Sequence, residues 1–450
     1  MTRYTAEMTY FETRRRQGII DWHHKVILWV SGFFILVRLP TDLWRLGYGG
    51  VNSKMSWVLN LSVRVPVALV VMIGVVFLFR RRGLRMDGFA VLLCYLLLHG
   101  TIHGGLRGIS DHPNFQWNFF GAHFSGLLMI LTSYVVFLNS PDRIRGWTQR
   151  YFNRLCPILL IVGVPCFMLF LGRRQAGVEG LNWGFTVPLL LPFAWALSQH
   201  RYFAALLSAS IAVINGKRGV TLTIVVAAFA YAVLSFRSRK EHLTAMTIAL
   251  MALGTVAAAF VVIPQLDTNA LPGGIADTVG KWQEFGGDRL DIATSGRLGE
   301  FQTAMYTFKQ EPINWALGNG YGWYFWITDP DGSQRPLHYV HFTPADFLFQ
   351  YGLPLTITFF LLLAYRLARI FAYVASPTST AMDRTLFIYL MSSVIGGMTG
   401  YTYVIDPLIW CFLGFLTARA ERAGKKSVAR PRGINQVTFA PRRTVSQPVA

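Results

Sequence analysis

Three stretches of the chain hold residue types that could do chemistry, and the first is "VHFTPADFLFQYGLP", residues 340–354. In it His341 stands two residues ahead of a run with helix-start signals. Thr343 suits an N-cap, Pro344 the first helical position, and Asp346, three beyond the cap, completes a capping box in its acidic form. The pattern predicts a helix from about residue 344, with His341 just outside its N-terminus. Unpaired N–H groups and the helix dipole there favour an anion and disfavour an imidazolium, so a neutral imidazole in that place can take a proton. The plainer reading is a histidine that only caps or packs.

The second stretch is "INGKRGV", residues 214–220, where Lys217 and Arg218 separate two apolar runs. The run before it, 202–214, gives only roughly 20 Å of helix, against about 30 Å for a bilayer's hydrocarbon. If the turn lies at membrane depth, Arg218 must face a polar cavity, and its planar fork of donors suits phosphate. The alternative is an arginine snorkelling to lipid headgroups. Arg64, inside another apolar run, raises the same question.

The third is "SGRLGEFQTAMYTFKQEP", from Ser295 to Pro312. Leu298, Phe301, Met305 and Phe308 recur at helical intervals, which predicts an amphipathic helix opening at Arg297 and ending before Pro312. Arg289, in "GGDRLD", lies a little upstream. The segment "LGNGYGWYFW" that follows reads as a glycine-rich turn whose aromatics either stack on sugars or anchor at the membrane interface. His99 and His103 share one helix face at i,i+4. With no third ligand nearby they read as a packed pair, and no metal site or cofactor is expected.

The elements that must position these residues follow from composition. Of 450 residues, 53% are hydrophobic and 14% charged, whereas a soluble domain carries about 25% charged residues. This predicts an integral membrane protein. Apolar runs near 26–39, 57–79, 88–104, 118–138, 155–171, 182–198, 202–214, 219–236, 243–263, 345–364, 385–403 and 405–418 suggest about twelve transmembrane helices. With both termini inside, the basic clusters Arg80–Arg82, Arg143 to Arg154, Arg237 to Lys240 and the tail after Arg419 all fall on the cytoplasmic side. The formal charge of +20 is then a topology signal with lipid-headgroup contacts, and nucleic acid is not an expected partner. The four cysteines lie in apolar runs without metal-ligand spacing.

The expected layout is a cytoplasmic segment 1–25, transmembrane helices 1–9 over 26–263, an outward loop 264–344, transmembrane helices 10–12 over 345–418, and a disordered basic tail 419–450. Nothing at the N-terminus reads as a cleavable signal peptide. Loops as long as 264–344 are usually functional, so the chemistry is expected there and at the outer ends of the helices.

The trio "NGKRG", "TSGRLGEFQTAMYTFKQEPINWALGNGYG" and "HFTPADFLFQYGLP" resembles the O-antigen ligase and Wzy-type polysaccharide polymerase superfamily. The resemblance covers under a fifth of the chain, with matching order and topological placement. It implies an all-α, GT-C-like polytopic protein of the bacterial inner membrane whose active face is periplasmic. It further implies Arg218, Arg297 and His341 as catalytic residues, with Gly352 eleven residues after the histidine. Lys217, Arg289 and Arg64 are added as substrate-binding candidates, and Arg289 competes with Arg297 for the second arginine role. Phe342 and Leu355 depart from the family pattern, which bears on the ligase subtype. The implied reaction transfers a glycan from a polyprenyl diphosphate carrier to an acceptor hydroxyl, without metal and with inversion. A polysaccharide polymerase for O-antigen or exopolysaccharide is the first expectation and an O-antigen ligase acting on a lipid A core the second. A flippase for the same lipid-linked oligosaccharide is the third. Expected partners are that donor, the acceptor glycan, membrane lipids and other polysaccharide-assembly membrane proteins.

Overall fold

A computed structural model gives the fold and describes residues 21–33, 53–81, 83–175, 186–214, 218–235, 297–328, 334–398 and 406–429, with a few isolated positions near 247. The elements are α1 (residues 21–33), α2 (Ser53–Arg80), α3 (Gly88–Ile109), α4 (Trp117–Leu138), α5 (Ile144–Gln175), α6 (Thr186–Ser198), α7 (Tyr202–Ile214) and α8 (Arg218–Leu234). They continue with α9 (Arg297–Lys309), the short α10 (Asn314–Leu317), strands β1 (Phe325–Thr328) and β2 (Gln334–Leu337), α11 (Thr343–Val374), α12 (Ala381–Met398) and α13 (Pro407–Ala429). Apart from the hairpin and one isolated bridge between Phe115 and Trp323, the described residues form only helices and their connections.

Among the described residues four helical stretches are long and apolar enough to cross a membrane: Gly88–Ile109, Trp117–Leu138, Ile144–Met168 and Thr343–Val374. The shortest have 22 residues, and at 1.5 Å per residue such a helix rises about 33 Å, the thickness a bilayer requires. Shorter apolar helices accompany them at Val67–Arg80, Leu189–Ser198, Tyr202–Ile211 and Leu222–Leu234. This is a membrane protein. The expected run at 243–263 lies almost wholly outside the described residues, as do residues 264–296 of the expected loop.

At the centre α4 packs between α2, α3 and α13, and α11 runs against α3, α12 and α13. The side chains of Phe89, Tyr134, Phe359 and Trp410 meet there and are fully buried. Phe89 touches all three of the others, with ring centroids 5.1 to 6.4 Å apart. Close crossing of α13 over α4 needs a small residue: a Cβ at Gly414 would stand 2.3 Å from the Tyr134 carbonyl oxygen. Small residues at such crossings are what lets helices approach where lipid supplies no hydrophobic drive between them.

Buried ion pairs gather at the end of the bundle where Asp87 caps α3. Arg366 bridges Asp87 at 2.9 Å and Glu421 at 3.1 Å, and Tyr134 donates to Asp87 at 2.6 Å. Asp383, fully buried, holds Arg419 at 2.8 Å and accepts from Tyr373 at 2.9 Å. The basic residues Arg81 and Arg422 bond the carbonyls of Asn139 and Ser140 at this same end. Removing one partner of such a buried pair costs about 3–5 kcal/mol, because the other is left uncompensated.

At the opposite end of α3 stands a small second core made by α9, α10, the hairpin and the first turns of α11. Ala304, Phe308, Trp323, Phe325, Val340 and Phe349 fill it. The antiparallel register pairs Phe325 with Leu337 and Thr328 with Gln334. Period-two alternation turns Phe325 and Ile327 inward and leaves Trp326 and Thr328 exposed.

α11 is broken near its head. Gly352 sits at φ 76°, ψ 171°, a conformation essentially restricted to glycine, and Pro354 has no N–H to give the Gln350 carbonyl. Donors from the glycine-rich turn fill the gap: Asn319 N–H bonds the Phe349 carbonyl at 2.7 Å and Gly320 N–H the Gln350 carbonyl at 3.0 Å. The same turn lies flat on α3. Tyr321 N–H bonds the Gly100 carbonyl at 3.1 Å, and at Gly104 a Cβ would meet the Tyr321 backbone oxygen at 2.3 Å.

Candidate active site

His341 lies in the two-residue step between Val340 of the second core and the start of α11. Its Nδ1 is 2.7 Å from Oε2 of Glu300, which sits in the first turn of α9. A carboxylate only accepts, so Nδ1 carries the proton, and in the neutral ring Nε2 then keeps a lone pair. The His341 side chain is 32% exposed and that of Glu300 13%. The imidazole therefore keeps one open edge while the carboxylate is sheltered. Tyr339 closes a flank, its ring edge-on to the imidazole with centroids 5.1 Å apart. Burial and the nearby Glu300 carboxylate push the Tyr339 phenol above its ordinary value, so it stays neutral beside the pair.

The start of α11 differs from the expected capping box. The helix opens at Thr343 with Phe342 as N-cap and no side-chain cap. The Thr343 hydroxyl instead donates to the Gly397 carbonyl of α12 at 2.5 Å. Asp346 accepts from Val340 N–H at 3.3 Å and from the Gln350 amide at 2.9 Å. Tertiary partners have taken both groups, and in doing so they pin the segment that carries His341.

A second histidine braces that segment. His123 is buried on α4, with one ring nitrogen 2.8 Å from the His338 carbonyl and the other accepting from Gly322 N–H at 3.3 Å. Both nitrogens are engaged, which fixes the neutral tautomer with the proton on Nε2. At the edge of the module Glu311 bonds Arg107, and its other oxygen lies 2.8 Å from His112 Nε2. Arg107 also donates to Asn314 at 2.8 Å. Burial alone would raise the Glu311 carboxyl, but the His112 hydrogen bond and the Arg107 charge outweigh it and hold the group below its usual range.

Arg297 is the first residue of α9, one turn before Glu300, which puts its backbone beside the His341 segment. Arg218 is the first residue of α8. Thr223, five residues on, faces Gly396, where a Cβ would stand 2.1 Å from its methyl. Gly397 next to it accepts from Thr343, so the start of α8 and the head of α11 lie at one end of the bundle. Arg64 falls on α2. Lys217 and Arg289 lie outside the described residues.

One further expectation changes. Most aromatics of "LGNGYGWYFW" do not face outward as a row: Tyr321, Trp323, Tyr324 and Phe325 are buried, and of these rings Trp326 alone stands out at 47% exposure. They build the second core and its seat on α3 instead. His99 and His103 are neighbours along α3, with ring centroids 5.9 Å apart and planes tilted by 51°, the packed pair expected. Sequence reasoning passed over Glu300, yet a signal was present, since a base needs an orienting partner and Glu300 is the sole carboxylate on that helix.

Over residues 203–360 the chain matches the family model described as O-antigen ligase. Residues 203–360 are an O-antigen ligase family domain. No curated protein matches the chain. The family domain begins in α7 and ends in α11, so it takes in Arg218, Arg297, Glu300, His341 and the break at Gly352.

Proposed function

We propose that this protein transfers a glycan from a polyprenyl diphosphate carrier to an acceptor hydroxyl. The observation that carries the reading is the His341–Glu300 pair at 2.7 Å, inside the O-antigen ligase family domain. In the step proposed, the acceptor oxygen attacks the anomeric carbon and gives its proton to Nε2 of His341. The bond from that carbon to the carrier's phosphate oxygen breaks, the electron pair leaves with the diphosphate, and the configuration inverts. Glu300 holds the imidazole in the accepting tautomer and stabilises the imidazolium as it forms. Arg218 and Arg297 neutralise the departing diphosphate in place of a metal, the electrostatic role that is often the largest catalytic contribution. Lys217, Arg289 and Arg64 assist in holding the donor.

The accompanying topology has about twelve spans, both termini in the cytoplasm and residues 264–344 forming a periplasmic loop in the bacterial inner membrane. The gathering of basic residues around Asp87 and Glu421, at the far end of α3 from His341, supports it. A flippase for the same lipid would have no use for a base tied to a carboxylate.

Polymerase is the reading taken from the sequence and ligase is the second; the matching family fits both. The full-length protein in proteoliposomes, given a lipid-linked repeat as sole substrate, separates them. A ladder of products marks a polymerase. Transfer only when a lipid A core is added marks a ligase. An unchanged rate for a folded His341→Ala variant would remove the histidine from the mechanism.

A further inference from the structure

A continuous file of aromatic rings leads away from the candidate base. From His341 it passes to Tyr339 (5.1 Å between ring centroids), His338 (5.1 Å), Phe119 (4.3 Å), Tyr324 (5.8 Å) and Trp326 (5.7 Å). The imidazole of His338 lies nearly parallel to Phe119, at 13°. Tyr324 is buried beneath the file, while His341, Tyr339, His338 and Phe119 are half-buried and Trp326 is exposed. The rings are fixed in place. His123 bonds the His338 carbonyl at 2.8 Å, the Tyr324 hydroxyl bonds the Pro113 carbonyl at 3.0 Å, and the hairpin register turns Trp326 outward.

We infer that this file is the seat of the acceptor saccharide, with the sugar that receives the glycan at His341 and the units behind it lying along His338 and Phe119 toward Trp326. The inference rests on the proposed transfer reaction for the identity of its ligand. A pyranose offers an apolar face of C–H bonds and an edge of hydroxyls, so it suits aromatic faces interleaved with polar tips. Two imidazoles and a phenol supply those tips here, a mixture that a hydrocarbon chain would disfavour. Five accessible rings, with the buried Tyr324 linking Phe119 to Trp326 from beneath, give a direction: the chain enters over the hairpin and its end reaches Nε2. Trp326 and Phe119 stand outside the catalytic pair and act by positioning.

The test reads binding separately from turnover. The probe is the set of free saccharides released by mild acid from the host's own lipid-linked intermediates, sorted into single repeats and longer oligomers. Binding to full-length protein in nanodiscs is measured by equilibrium dialysis for wild type, Trp326→Ala, Phe119→Leu and Phe119→Tyr. Longer oligomers are expected to bind wild type more tightly than single repeats. Trp326→Ala is expected to weaken the longer ones by roughly fivefold and leave single repeats unchanged, the scale of one aromatic contact. Phe119→Leu weakens both, and Phe119→Tyr restores them. Where transfer can be followed, the same variants raise the acceptor KM with kcat held. Equal affinity of all variants for all lengths overturns the inference, as does a loss in Trp326→Ala that is the same for single repeats and oligomers. Impaired membrane insertion with saccharide binding intact also overturns it and makes the rings an interfacial anchor. Failure of the transfer reaction with length-graded binding preserved would defeat the catalytic proposal and leave the saccharide seat standing.

Discussion

Glu300 and His341, 41 residues apart in sequence, meet at 2.7 Å between Oε2 and Nδ1. The meeting depends on the second core, because Phe301, Ala304 and Phe308 of α9 pack against Val340 and Phe349 on either side of the histidine. Glu300→Gln keeps the shape of the site while offering Nδ1 an amide that can donate as well as accept. The tautomer is then no longer fixed. The expected result is a fall in kcat of about 10²-fold or more with donor KM unchanged, read by initial rates in proteoliposomes. His341→Ala should lower kcat by about 10²–10⁴-fold.

Gly352→Ala should damage the fold as well as the site. The position lies at φ 76° and a Cβ would meet the Ala316 carbonyl oxygen at 2.4 Å. Backbone strain of this kind costs about 1–3 kcal/mol before any clash is counted. A lower melting temperature in detergent and faster proteolysis within residues 310–328 would report it.

Tyr321→Ala should loosen the second core from α3. The ring is fully buried between Gly100, Phe120 and Tyr351, and deleting a buried aromatic costs about 3–5 kcal/mol. Chemical denaturation should show the loss, and hydrogen exchange should rise first at residues 318–324.

The Glu311 contact with Arg107 and His112 predicts an acid-sensitive docking of α10. A carboxyl held below its usual range in the folded state adds stability that is present above the unfolded value, near 4.5, and is lost as pH falls through the folded one. Protection against hydrogen exchange at residues 310–317, measured relative to the intrinsic rate at each pH, should therefore fall at low pH. In Glu311→Gln the exchange should already be fast at neutral pH and show no acid step.

Much of this was legible from residue types. The helix from Arg297 and its apolar positions Phe301, Met305 and Phe308, the apolar runs that became α3, α4 and α11, and the placing of His341 just ahead of a helix all follow from periodicity and local signals. The capping of α11 was not legible, because Thr343 and Asp346 were drawn to Gly397 and Val340 by contacts that local sequence does not encode. The fate of the glycine-rich aromatics was hidden for the same reason. Whether Tyr321 faces a sugar or a helix depends on Gly100 and Gly104, more than two hundred residues earlier. Glu300 lay in view, and recognising it required asking what holds the imidazole.

The bonds from the glycine-rich turn to α3 and α11, with those of Gly322 and Tyr324 to Gln116 and Asn114, set a rule for building chimeras within the family. A graft that moves only residues 297–354 into another scaffold leaves Asn319, Gly320 and Tyr321 facing foreign surfaces. Transplanting the segment that carries Glu300 and His341 therefore means carrying residues 96–123 along as a second, non-contiguous piece.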